Sequence, residues 1–323
     1  MGASNFTNQV DNIFIFILVI SVVLLIGITA AMIYFVIKYR RSKHPHAVDI
    51  HGNVLLEVVW TVVPFFIVMG FFYYGVVDYR EMRNIPEDAM EVEVLGRMWS
   101  WMYTYPNGVQ TDTLYVPLNK PIKLTIKSVD VIHSFYVPAF RIKQDAVPGM
   151  ETKMWFKAQQ EGKFQVMCAE YCGDRHAYMY SQVQVLPEAE FERWYASAGA
   201  EVEAFAEATE AVEVDEAALR EKLIKQGQRL IKTKGCMACH SMDGTRLVGP
   251  SFKGIWGKTE TVIANGEEKT IVVDEAYLRR SMLEPNVEIV KGYPPAMPPQ
   301  GGILNEQEIQ AIIEFLKTLK AEQ

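Results

Sequence analysis

Twelve residues, Cys168-Ala-Glu-Tyr-Cys-Gly-Asp-Arg-His-Ala-Tyr-Met179, bring together two thiols, an imidazole and a thioether. Cysteines four apart can both turn inward from one tight loop, with His176 four residues past Cys172 and Met179 three further on. Thiolate, imidazole and a weak axial thioether form a soft ligand set, which selects copper in an electron-transfer role over cations that favour oxygen. Two thiolates are more than one copper needs, and a second histidine must come from elsewhere. His133, just after an alternating strand pattern, is the candidate. Two coppers bridged by two sulfurs would use every ligand.

Cys236-Met-Ala-Cys239-His240 is a second chemical motif, with the spacing for covalent attachment of c-type haem. The thiols add to the porphyrin vinyl groups, and the histidine is placed to bind iron from one side. A zinc site is the competing reading, but this segment lacks the second pair of ligands that a four-cysteine site needs. Downstream, Tyr293-Pro-Pro-Ala-Met297-Pro-Pro holds a methionine in rigid chain, suited to be the sixth ligand. His/Met ligation gives a relatively high potential and leaves the iron no open position, which favours electron transfer over substrate chemistry. The cysteine and histidine counts close on these motifs: two cysteines go to each, and the histidines that are not ligands, His44, His46 and His51, lie in one loop.

The elements that position these motifs differ in pattern along the chain. No charged residue occurs from Ile13 to Ile37 or from Val58 to Val77, and each run can cross ~30 Å of hydrocarbon. A cleaved signal peptide is the alternative for the first, but the run is too long for one and no basic segment precedes it. Lys38, Arg40, Arg41 and Lys43 in the connecting loop face the single Asp49, so the loop is expected in the cytoplasm and both termini outside. Pro64 within the second span implies neighbouring helices. A net charge of -7 argues against nucleic acid as a partner.

From residue 91 to 186 the period becomes two. Ile122, Leu124 and Ile126 alternate with polar residues, and Trp99, Trp101, Tyr103 and Tyr105 recur at every second position. Short strands among Pro and Gly turns suggest an all-β Greek-key sandwich with metal ligands on loops at one end. After Pro187 the chain is rich in Glu and Ala, a composition open to a helix but more suited to a solvated linker. Helical periodicity returns with Leu219, Leu223, Gly227, Leu230 and Ile231. It closes with a helix capped by Asn305 and burying Ile309, Ile312, Ile313, Leu316 and Leu319. The expected division is a transmembrane hairpin over 1–85 (spans about 13–37 and 55–77), an all-β Greek-key domain over 86–187 that by resemblance is cupredoxin-like, an acidic linker over 188–214 and an all-α domain over 215–323 that resembles a class I cytochrome c.

The hairpin, the run Trp99-Ser-Trp-Met-Tyr-Thr-Tyr105, Asp130-Val-Ile-His133-Ser-Phe and Cys168 to Met179 together resemble subunit II of cytochrome c oxidase. Residues 215–323 resemble a class I cytochrome c fused behind it, as in the caa-type oxidases. The resemblance implies a dinuclear CuA centre with Cys168 and Cys172 as bridging thiolates, His133 and His176 each on one copper, and Met179 and the Glu170 carbonyl as weak axial ligands. It implies that the Glu170 side chain helps hold magnesium at the border with subunit I. Trp99 matches the tryptophan that receives electrons, although sandwich packing accounts for it equally. Glu57 matches a glutamate at the mouth of a proton-uptake path, although the helix dipole also favours an acid there. Met150 stands where many members carry a basic residue, which weakens any proton-exit role for the adjoining loop. Gly249-Pro250 matches the segment whose carbonyl accepts a bond from the haem histidine, and Gly227 and Phe315 match the crossing of the first and last helices.

The function so implied is that of an electron-transfer subunit in a bacterial cytoplasmic membrane, with both cofactor domains on the periplasmic side. Electrons from a soluble cytochrome, a copper protein or a quinol-oxidising complex would pass through haem c and CuA to subunit I, with subunit III as a further partner. Oxygen reduction and proton translocation would occur outside this chain. Similar wiring on a nitric oxide reductase is the nearest alternative. A membrane-tethered copper carrier is another, but it accounts for neither the second histidine nor the haem motif.

Overall fold

A computed structural model describes the chain apart from residues 1, 47, 48, 50, 211–215 and 320–323 and the side chains of 204–210 and 216–218. Two long helices, α1 (Thr7–Lys38) and α2 (Val54–Arg83), form an antiparallel hairpin whose apolar side chains face outward on all sides. A helix apolar all round is stable only in lipid or inside a larger core. Asn53 caps α2 by accepting from the Leu56 amide at 3.1 Å. The segment before α1 packs on the sandwich domain: Phe6 is fully buried edge-on to Trp155 at 5.0 Å, and the Asn5 amide donates to the Lys157 carbonyl at 3.0 Å. Both open ends of the hairpin therefore meet the same domain, and the basic loop lies at the far end.

The sandwich has two five-stranded sheets. Strands β1 (Met90–Arg97), β2 (Ser100–Thr104), β3 (Gln110–Thr111), β5 (Pro121–Ser128) and β8 (Thr152–Lys157) form one, in the order β3-β2-β1-β5-β8. Strands β4 (Thr113–Pro117), β6 (His133–Val137), β7 (Ile142–Ala146), β9 (Gly162–Cys168) and β10 (Tyr180–Leu186) form the other, in the order β4-β10-β9-β6-β7. The parallel pairs β1/β5 and β4/β10 mark Greek-key crossovers. Ile122, Leu124 and Ile126 fill the space between the sheets, as their alternation requires.

The acidic stretch departs from the solvated linker its composition suggested. Helix α3 (Glu188–Glu210) follows β10 directly. Phe191 and Ala198 are buried in the sandwich core, and Trp194 stacks on Tyr115 at 4.3 Å. Tyr195 binds the Asn107 amide and side chain through its hydroxyl and carbonyl. Phe191, Trp194, Tyr195 and Ala198 recur at helical spacing, and this apolar stripe outweighs the acidic average. The expected boundary at 214/215 lies outside the described residues.

The last domain is built on α4 (Glu216–Thr233) crossing α6 (Glu306–Leu316), with α5 (Glu275–Leu283) between them in sequence. At the crossing, a Cβ on Gly227 would overlap the Ala311 carbonyl, and Phe315 lies beside it. The Asn305–Glu308 capping box opens α6. To the expected helices the structure adds a small sheet of β11 (Thr259–Ala264), β12 (Glu267–Val272) and β13 (Ile289–Val290), in the order β12-β11-β13. Asn265 and Gly266, both at positive φ, make its hairpin turn.

Candidate functional site

Strand register brings the sulfur and imidazole ligands together. Phe135 of β6 lies opposite Cys168 at the end of β9, so His133, at the start of β6, reaches past the strand end towards the loop. The Cys168 amide donates to the Met179 carbonyl at 3.1 Å, closing that loop at the head of β10. Cys168 Sγ and Cys172 Sγ lie 3.7 Å apart, well beyond the ~2.05 Å of a disulfide. His133 Nδ1 is 3.9 Å from Cys168 Sγ, His176 Nδ1 is 3.5 Å from Cys172 Sγ, and Met179 Sδ is 3.7 Å from Cys172 Sγ. The Glu170 carbonyl is 3.2 Å from Cys168 Sγ. Each sulfur thus has a histidine on its outer side and one weaker donor. That is the donor set for two soft ions sharing two thiolates.

The protonation pattern agrees. His133 Nε2 bonds Asp130 Oδ1 at 2.7 Å, which leaves Nδ1 free to face the sulfur. Asp130 also accepts from the Met98 and Val131 amides. Although burial of Asp130 opposes ionisation, these bonds and His133 hold its carboxyl below the usual range. Burial also opposes the Cys168 thiolate, but bonds from His133 and the Ser134 backbone bring its pKa down to about 6. Burial and the neighbouring Cys168 charge push Cys172 the other way. Two thiolates at this spacing need a cation between them. Trp99 is buried and donates its indole N–H to the Cys172 carbonyl at 2.9 Å. The Glu170 side chain is exposed. Glu57 stands exposed in the first turn of α2, at the far end of the hairpin.

The second motif lines a largely apolar cavity that opens to solvent on one side. Cys236, Cys239, His240 and Met297 all line it, and neither thiol is in a disulfide. Gly235, at φ +68, turns the chain from α4 into Cys236. His240 Nδ1 donates to the Pro250 carbonyl at 2.7 Å, directing Nε2 as the free acceptor. Its ring stacks on Phe252 at 4.6 Å, and a Cβ on Gly249 would overlap it. Burial lowers the His240 pKa against the pull of the Pro250 bond, so the ring is held neutral, as a ligand must be. Burial pushes Cys239 up to about 11, so its thiol is protonated at neutral pH. An apolar slot with a fixed neutral imidazole, two free thiols and a methionine fits haem.

Family models match in chain order. The cytochrome C oxidase subunit II transmembrane domain covers residues 1–74, the periplasmic domain of the same subunit 109–186, and cytochrome c 224–320. Cytochrome c oxidase subunit 2 of Alkalihalophilus pseudofirmus is 30% identical over 322 residues, covering 94% of this chain and 86% of its own. This chain belongs to the cytochrome c oxidase subunit 2 family. Its C-terminal cytochrome c domain makes it a fused subunit 2 of the caa type, part of an oxidoreductase. The subunit 2 of Thermostichus vulcanus is 32% identical over 248 residues, covering 59% of this chain and 76% of its own. A crystal structure of the periplasmic domain of subunit II from Bradyrhizobium japonicum is 33% identical, with a TM-score of 0.35 over 36% of this chain and 96% of that one. The family places this subunit 2 in a membrane with a periplasmic domain, associates its central domain with copper and its last domain with haem, and implies subunit I as a partner.

Sequence reasoning singled out the ligands but gave no role to Asp130, whose carboxylate fixes the His133 tautomer, or to Arg97, which enters the haem cavity wall. Asp130 was within reach, because an acid three residues from a candidate metal histidine is a common partner for its second nitrogen. Nothing adjacent in sequence signals Arg97.

Proposed function

We propose that this chain carries electrons from an external donor to subunit I of a terminal oxidase in a bacterial cytoplasmic membrane, through covalently held haem c and a dinuclear CuA centre. Oxygen reduction coupled to proton translocation belongs to the partner subunits. The observation that carries the reading is the converging set of His133, Cys168, Cys172, His176 and Met179 on one loop cluster, with a haem-type cavity in the same chain. When bound, the copper pair and haem supply one-electron couples whose charge changes without bond making.

The chain's residues keep those couples in fixed surroundings. Cys168 and Cys172 would hold the copper pair, and His133 is fixed by Asp130, so these residues would have little to rearrange on reduction. His240 and Met297 both line the haem cavity and would hold the iron, leaving no position for other ligands. Cys236 and Cys239 would hold the ring by thioethers. Trp99, bonded through its indole to the Cys172 carbonyl, is the proposed electron-receiving residue beside the copper loop. The Glu170 carboxylate, exposed beside the loop, is a proposed magnesium ligand completed by subunit I. Glu57, at the cytoplasmic end of α2, is proposed at a proton-uptake path. The donor is a soluble cytochrome, a copper protein or a quinol-oxidising complex, and subunit III is a further partner.

Metal analysis and visible spectroscopy test the copper reading. Two coppers per chain retained after chelation, with the purple absorption of a mixed-valence pair, are expected. One labile copper would instead indicate a carrier. Haem is expected to stay with the chain after denaturation.

A further inference from the structure

The haem cavity is not enclosed by the cytochrome domain alone. Arg97 and Met98, at the end of β1 in the copper domain, form part of its wall. Arg97 is 3% exposed. Its Nη1 donates to Gln300 Oε1 of the cytochrome domain at 2.9 Å, and its Nε lies 3.4 Å from Ser100 Oγ. Nη2 is buried with no hydrogen-bond partner among the described residues. It lies at the seam where Gly235 is pressed against the copper domain: a Cβ on Gly235 would stand 3.2 Å from Nη2 and overlap Ser100. The unpartnered nitrogen is therefore beside the turn that carries Cys236.

An arginine left partly unbonded in a buried place is costly and calls for an explanation. No carboxylate bonds Arg97 among the described residues. The Asp130 carboxylate is taken up by His133 and two backbone amides. A guanidinium does not lose its proton in a protein, so a permanent positive charge stands at the wall of an apolar cavity, where charges are weakly screened. Arg97 stands on the side of the cavity where Gly235 leads into Cys236. A cation there opposes the additional positive charge of oxidised iron.

Resting on the haem reading above, we propose that Arg97 is a positioning residue shared by the two domains. It latches the Gly235–Cys236 turn and Gln300 onto the copper domain, and its charge favours the reduced haem as long as the domains are docked. The docked state would then be the one that holds an electron ready beside the Trp99 loop.

The test is a redox titration of the haem absorption in the full-length, detergent-solubilised chain, with the copper spectrum as a check on the copper domain. Arg97→Gln is expected to lower the ratio of reduced to oxidised haem at a fixed potential about tenfold, equivalent to a midpoint lower by about 59 mV for one electron. Arg97→Lys, which keeps the charge, should retain most of the native ratio. Ser100→Leu, which adds bulk at the seam from the copper side only, should shift the ratio in the same direction as Arg97→Gln. An unchanged midpoint in Arg97→Gln overturns the proposal, as does a Lys variant that falls as far as Gln. If Arg97→Gln fails to load copper, Ser100→Leu decides, and an unchanged midpoint there overturns it equally. Absence of covalent haem from the unmutated chain would refute the haem reading itself, separately from Arg97.

Discussion

The copper loop and the haem cavity solve the same problem at different scales. In the loop, donors drawn from β6, β9 and the turn before β10 are already linked pairwise through the two sulfurs at 3.5–3.9 Å. In the cavity, Cys236, Cys239, His240 and Met297 stand around a largely apolar space walled by several elements. A pair of small ions can be held by a loop whose position the sheet dictates. A macrocycle instead fills a large slot beside the packed core of Leu230, Ile231, Ile312 and Phe315, so the slot's walls depend on the ligand for packing. The copper site is thus a decoration on a fold that is complete in itself, whereas haem is part of the folding of the last domain.

The variant that would test this contrast most severely removes both haem thiols. Cys236→Ala with Cys239→Ala is expected to abolish covalent haem and, with it, the cooperative thermal transition of the cytochrome domain, followed by circular dichroism. A cytochrome domain that still melts cooperatively without haem would break the comparison. Cys172→Ser is the counterpart on the copper side. It should reduce copper from two per chain to one or none by metal analysis and eliminate the mixed-valence absorption, while the sandwich keeps its melting transition.

A smaller effect is expected from Asp130→Asn, which weakens the anchor of His133 without removing a ligand. Loss of such a partner typically costs ~10–100-fold in metal affinity, measurable by competition with a chelator. Copper affinity should also fall as pH drops through about 6, because the Cys168 thiolate is present above that value and protonated below it. Binding that is flat from pH 7 to about 5 would contradict the thiolate assignment. The mildest change is Met297→Leu. A near-isosteric swap of this kind usually costs less than ~1.5 kcal/mol, so haem should stay attached while its midpoint falls, and an unchanged midpoint would point to a different sixth ligand.

The parts legible in the sequence are those whose determinants sit close together along the chain. Cys168 to Met179 and Cys236 to His240 carry their spacing within one loop each, and Ile122, Leu124 and Ile126 announce their strand by alternation. Helix α3 was obscured because averaging over its acidic residues hid the stripe of Phe191, Trp194, Tyr195 and Ala198. The hairpin at Asn265-Gly266 carries a recognisable turn signal between β11 and β12, whereas the resemblance to a class I cytochrome c implied an all-α domain. The contact of Arg97 with Gln300 spans 203 residues. No local pattern encodes such a pair, since it exists only after two domains have folded and met.

Phe6 has a mechanical consequence. A domain carried on a single stalk can swivel about it. This one is moored twice, by Phe6 and Asn5 ahead of α1 and by the end of α2, where Arg83 donates to the Lys153 carbonyl at 3.1 Å and the Trp155 indole to the Glu81 carbonyl at 3.3 Å. Both moorings engage β8, at Lys153, Trp155 and Lys157, and two points of attachment oppose yaw about the membrane normal. The height and bearing of the Cys168–Met179 loop above the lipid are then set by the hairpin itself, as a fixed mast sets the direction of its antenna.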